Sequence, residues 1–124
     1  MAKKILVIDD EELIIKSLRK LLEKNGFVVF VAKNGQDALI MAEEENFDLI
    51  IADIRMPGIN GVDTIQTIFE NLENRNLSRI PTIFITGYAD KDIKQRAKAL
   101  NPVAYIYKPF DIQELINKVK EILG

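Results

Sequence analysis

Asp48-Leu49-Ile50-Ile51-Ala52-Asp53-Ile54-Arg55-Met56-Pro57-Gly58 is the stretch that decides the fold. Its apolar run lies between two acids, and Pro57-Gly58 is ordinary turn chemistry. A strand wet on one face alternates apolar with polar residues. A continuous run belongs instead to a strand covered on both faces, as in a parallel sheet. Asp48–Ala52 has four companions of the same kind: Lys4–Ile8, Phe27–Ala32, Thr82–Ile85 and Ala104–Tyr107.

Amphipathic stretches separate these runs. Leu13, Leu18, Leu21 and Leu22 recur at helical spacing until Asn25-Gly26, where glycine can take the left-handed cap. Asn34 followed by Asp37 opens a second helix, which ends in Glu43-Glu44-Glu45, a solvated acidic face. Val62, Ile65, Ile68, Phe69 and Leu72 mark the third. The fourth, over 90–100, has Ile93, Ala97 and Leu100 as its apolar stripe. Asp111 with Glu114 resembles a capping box and opens the fifth, which repeats Leu115, Val119 and Ile122. This alternation predicts an α/β fold, a single-domain doubly wound (βα)5 parallel sheet over 1–124. Right-handed crossovers then bring the C-terminal ends of all five strands to one edge, where ligands of open α/β sheets bind.

Composition narrows the chemistry. A chain of 124 residues, 48% apolar and 29% charged, hides about two-thirds of its unfolded surface, enough for one core. A net charge of -2 lacks the basic excess of a nucleic-acid binder. There is no Cys and no His. That removes disulfides, thiolate metal sites and the Ser-His and Cys-His triads, and the protein cannot itself carry phosphohistidine. The longest apolar run, Phe27 to Ala32, is too short to cross a bilayer, and no signal peptide is apparent. The expected compartment is the cytoplasm.

The residues that follow each strand are the informative ones. Asp9, Asp10, Glu11 and Glu12 follow the first, Asp53 ends the third, Thr86 ends the fourth, and Lys108-Pro109 ends the fifth. The second ends blandly at Ala32-Lys33. If strands one and three are neighbours, about 4.8 Å apart, Asp9, Asp10 and Asp53 share one cleft. Three carboxylates there repel and raise at least one pKa unless a cation compensates. Lys108 starts two strands from Asp53, about 9.6 Å at that spacing. It is therefore expected to approach a group built out from Asp53 more easily than the acid itself. The remaining negative charge calls for a hard, oxygen-liganded ion. Mg²⁺ suits it, Mn²⁺ could substitute, and Zn²⁺ is poorly served. An aspartate in such company can attack a phosphoryl group and form an acyl phosphate, with Mg²⁺, the Thr86 hydroxyl and the Lys108 ammonium each taking one oxygen. The cluster reads as a phosphorylation site with Asp53 as nucleophile.

Over essentially its whole length the sequence resembles a response-regulator receiver domain of two-component signalling. The matching pieces are Leu6-Val7-Ile8-Asp9-Asp10-Glu11, the Asp48–Gly58 stretch, Ile85-Thr86-Gly87-Tyr88 and Tyr107-Lys108-Pro109-Phe110. The resemblance implies the flavodoxin-like strand order 2-1-3-4-5, the order given for the chemotaxis member of this family. It implies that Asp53 accepts a phosphoryl group from the phosphohistidine of a sensor histidine kinase or histidine phosphotransfer protein. By the same resemblance Asp10 binds Mg²⁺ directly, Asp9 largely through water, and the Arg55 backbone carbonyl is a further ligand. Lys108 pairs with a phosphoryl oxygen, Thr86 moves to another, and Tyr105 rotates inward behind it. The signal passes to the face of the fourth helix, fifth strand and fifth helix, which would meet a downstream protein, a fused output domain or a second copy. Lys108-Pro109 resembles the family's cis peptide. Arg55 and Tyr88, two positions beyond Asp53 and Thr86, border the site in receivers; large side chains there are expected to obstruct the hydrolytic water and lengthen the phosphorylated lifetime.

Blander roles exist for single residues. Asp10 suits a helix cap, Thr86 a strand end, Tyr105 the core, and Tyr107 the core or a helix-facing position. Rival functions fare worse. A nucleotide or flavin binder needs a Gly- or Ser/Thr-rich phosphate loop where Asp-Asp-Glu-Glu stands. A haloacid-dehalogenase-like phosphatase would carry Asp-x-Asp after the first strand, whereas these acids are adjacent. A receiver-like scaffold that is never phosphorylated sits poorly with an intact Asp9, Asp10, Asp53, Thr86 and Lys108. Activity is expected to be limited to self-phosphorylation from a donor and self-dephosphorylation, with no conventional enzyme function. The chain reads as a stand-alone receiver or as a piece of a larger regulator or hybrid kinase, with no direct nucleic-acid or membrane contact.

Overall fold

The computed structural model describes residues 2–56, 58–87 and 91–124. Strands and helices alternate as β1 (Lys4–Ile8), α1 (Glu12–Lys24), β2 (Val28–Ala32), α2 (Gly35–Glu44), β3 (Leu49–Asp53), α3 (Gly61–Asn74), β4 (Thr82–Thr86), α4 (Lys91–Ala99), β5 (Ala104–Tyr107) and α5 (Ile112–Leu123). All pairings are parallel, in the order β2-β1-β3-β4-β5. Order and direction are those the sequence led us to expect. Three strands differ in their bounds by one residue: β2 begins at Val28, β3 spans Leu49–Asp53, and β4 runs on through Thr86.

The apolar runs serve two cores because successive side chains on a strand point to opposite faces. Leu6, Ile8, Ile50, Ala52 and Phe84 pack on one side with Val62, Ile65, Ile68 and Ala97 from α3 and α4. Ile5, Val7, Leu49, Ile51, Ile83 and Ile85 pack on the other with Leu18 and Leu22 of α1 and Leu115, Ile116 and Val119 of α5. β3 and β4 are buried throughout, while β2 and β5 are the partly exposed sheet edges.

Local signals account for several helix ends. The Asn34 side chain accepts from the Asp37 amide at 2.8 Å, and Asn60 does the same for Asp63 at 2.9 Å. Gly26 takes φ +90° after α1, a conformation an L side chain resists. Asp111 caps α5 but accepts from the Gln113 amide at 2.8 Å, one position short of a full capping box. One expectation fails. Leu13 is 81% exposed, because the buried stripe of α1 is Ile15, Leu18 and Leu22, and Leu13 lies off it.

Candidate functional site

Register builds the site. Ile8 pairs with Ala52, so the next residue along each strand, Asp9 and Asp53, emerges side by side at the C-terminal edge. Asp53 in turn lies beside Ile85, which puts Thr86 one step beyond it, and Thr86 pairs with Tyr107. The Lys108 amide donates to the Thr86 carbonyl at 2.8 Å, fixing where the lysine leaves β5. The Lys108-Pro109 bond is cis.

Both buried acids are anchored by short-range bonds. Asp9 Oδ1 accepts from the Glu11 amide at 2.9 Å, folding the loop between β1 and α1. Asp53 Oδ1 accepts from the Arg55 amide at 3.2 Å, and Asp53 Oδ2 accepts from Lys108 Nζ at 3.0 Å. The lysine thus reaches the acid itself, correcting the expectation from strand spacing alone. A lysine side chain spans the intervening strand when it lies along the sheet edge, and here it is only 16% exposed. Lys108 Nζ also donates to Glu11 Oε1 at 2.5 Å.

Asp9, Asp10 and Asp53 each offer an oxygen, all within 4.8 Å of one another. Asp9 and Asp53 are 1% and 3% exposed, whereas Asp10 is open to solvent. Burial pushes Asp9 up to about 6, with the Asp53 charge adding to it and the Glu11 amide opposing. Burial also raises Asp53, against the hydrogen bond and charge of Lys108. For Lys108 burial acts downward but is outweighed by Glu11, Asp53 and Asp9, so its pKa is raised and the ammonium persists. One ammonium among these carboxylates leaves the pocket short of positive charge. An all-oxygen donor set with that deficit fits Mg²⁺.

The remaining site residues fall as follows. Thr86 is fully buried at the end of β4. Arg55 is exposed just beyond β3. Tyr105 packs against the α3–α4 core, and its hydroxyl is buried with no hydrogen-bond partner among the described residues. Tyr107 is helix-facing, not core: it is 50% exposed, with Lys94 Nζ of α4 at 5.3 Å from its ring centroid. Tyr88, Pro57 and Asp90 lie outside the described residues.

Sequence reasoning missed Gly61. A Cβ there would meet the Asp53 carbonyl oxygen at 2.2 Å, and its amide donates to the Ile54 carbonyl at 2.8 Å. The start of α3 is therefore pressed against the backbone of Asp53. Asn60-Gly61 ahead of a helical stripe was the available signal.

This fold and this edge cluster define a class, and comparison with known proteins agrees. The response regulator receiver domain model matches residues 5–120, and the chain belongs to that family. It is 33% identical to the polar-differentiation response regulator DivK of Brucella anthropi, covering all of this chain and 98% of that protein. It is 32% identical to the probable transcriptional regulator ycf29 of Pyropia yezoensis, again over the whole chain but spanning only 54% of that protein. Among solved structures, a CheY-like receiver domain from Methanospirillum hungatei superposes with a TM-score of 0.87 at 29% identity, covering 98% of this chain and 93% of that one. A Burkholderia pseudomallei response regulator with a phosphorylated aspartic acid, calcium ion and citrate gives 0.78 at 26%, covering 96% and 70%. The chain is thus a receiver domain of two-component signalling, a family that in general signals and does not catalyse. No helix among the described residues is long and apolar enough to cross a membrane.

Proposed function

We propose that the chain is a phosphorylation-controlled switch in which Asp53 takes a phosphoryl group from a partner's phosphohistidine. One observation carries this reading: a buried Asp53 whose carboxylate is held between the Arg55 amide and the Lys108 ammonium, beside Asp9 and Asp10. The phosphorylated aspartate of the Burkholderia relative supports it.

Each group has a task. The Asp53 carboxylate attacks phosphorus, and the donor's bond to phosphorus breaks, leaving an acyl phosphate. Lys108 follows from the acid to a phosphoryl oxygen and Thr86 donates to another, since phosphoryl transfer depends on positioning and on charge neutralisation. Asp9, Asp10, Asp53 and the Arg55 carbonyl would hold Mg²⁺, or Mn²⁺ in its place, which when bound neutralises the charge of the incoming group. The buried Tyr105 hydroxyl has no hydrogen-bond partner among the described residues, which supports its role behind Thr86, because such a hydroxyl is poorly fixed energetically. Readout would then pass through α4, β5 and α5 to a protein partner, a fused output domain or a second copy. The donor would be a sensor kinase or a phosphotransfer protein, the setting the cytoplasm, and 1–124 one receiver unit. Arg55 and Tyr88 would shield the acyl phosphate from water; equal dephosphorylation rates in Arg55→Ala, Tyr88→Ala and the parent protein would refute that part.

Intact-mass measurement after incubation with acetyl phosphate and Mg²⁺ tests the core of the reading. One phosphoryl mass is gained by the parent protein and none by Asp53→Asn. A parent protein that stays unlabelled under conditions that label other receivers points instead to a scaffold.

A further inference from the structure

Glu11 occupies the N-cap position of α1, yet its side chain makes no capping hydrogen bond. It turns instead to Lys108, 97 positions along the chain. Lys108 Nζ therefore has two anionic partners within hydrogen-bond distance, Glu11 and Asp53. Asp53 is buried and Glu11 half-exposed, so Glu11 is the partner on the solvent side. A carboxylate in contact with an ammonium cancels much of the field that the ammonium would otherwise offer to a second anion. It also pulls the ammonium toward its own position.

We propose that Glu11 is a positioning residue acting through Lys108: it competes with the phosphoryl group for the ammonium and thereby slows phosphoryl acceptance. This rests on Asp53 being the phosphoacceptor. In the step concerned, an Asp53 carboxylate oxygen bonds to the phosphorus of acetyl phosphate. The bond from phosphorus to the acetyl oxygen breaks, and acetate departs with the electron pair. The equatorial oxygens need Lys108 during that exchange. While Glu11 retains the lysine, fewer encounters succeed. The same contact ties the beginning of α1 to the turn between β5 and α5.

The test compares initial phosphorylation rates with acetyl phosphate and Mg²⁺, read by intact mass, in the parent protein, Glu11→Gln and Glu11→Asp. Glu11→Gln is expected to label about two- to fivefold faster, the range for loss of one part-exposed ion pair. Glu11→Asp keeps the charge but falls a methylene short of Lys108, and it too should label faster than the parent. Structural damage slows such a reaction, so acceleration is a readout that mere misfolding does not produce. A Glu11→Gln rate at or below the parent's overturns the inference. A fast Glu11→Gln with Glu11→Asp at the parent's rate also overturns it, because the effect would then be one of charge alone and not of competition for Lys108. If the parent protein takes no label, or Asp53→Asn still does, the reading of Asp53 fails and the inference with it. That outcome is distinct from the other two.

Discussion

Ile8 and Ala52 pair near the ends of β1 and β3 and are wholly buried among apolar side chains. One residue further along, Asp9 and Asp53 are almost as buried and carry carboxylates. Inside the sheet, burial stabilises the folded chain. At the edge the same burial acts against it, because a carboxylate loses hydration that one shared lysine only partly replaces. The difference teaches that the edge is not built for stability, and a site under such tension accommodates added positive charge readily.

Measurements on the interior give the largest effect. Phe84→Ala removes a fully buried aromatic side chain of β4 and is expected to cost about 3–5 kcal/mol in urea unfolding. A loss below about 1 kcal/mol would mean that the core relaxes around the void and that the contrast between interior and edge is overstated.

The edge should respond with the opposite sign. An acid whose folded-state pKa exceeds its unfolded value penalises the folded state once it ionises. For Asp9 that penalty is absent well below the ordinary value of 3.8, accumulates as pH rises toward about 6, and is fully present above. Without divalent cation, Asp9→Asn should therefore be more stable than the parent at pH 7.5 by about 2–3 kcal/mol, and the gain should vanish near pH 3. The Asn oxygen can still accept from the Glu11 amide, so the loop bond is kept. An equal gain at both pH values would assign the effect to packing instead of charge.

The smallest effect lies on the open surface. Arg19 and Glu23, one turn apart on α1 and 2.9 Å between charges, are both about half-exposed. Arg19→Ala should change stability by no more than about 0.5 kcal/mol, and less in high salt. A larger loss would show that charge pairs away from the edge also carry the fold.

Much of this contrast was legible in the sequence, and the reasons are local. Asp48–Ala52 reads as a doubly covered strand because its apolar run is nearly continuous, and Asn34 suits a helix start because its side chain accepts from the amide three residues on. Parallel direction follows from alternation, and strand order came from family resemblance. What escaped depends on side-chain reach across the fold. Strand spacing alone kept Lys108 away from Asp53, because it ignores a long flexible side chain lying along the sheet edge. Leu13 looked like core because an apolar residue near a helix start fits several stripes, and only packing chooses among them. Glu11 was noted among the loop acids, but a contact across the whole chain leaves no periodic trace.

Gly61 makes the floor of the acid pocket observable from outside. Its amide is bonded to Ile54, one residue past Asp53, so this proton can trade with deuterium only when the foot of α3 lifts away. Hydrogen exchange at that one position is a gauge of how firmly the pocket is seated.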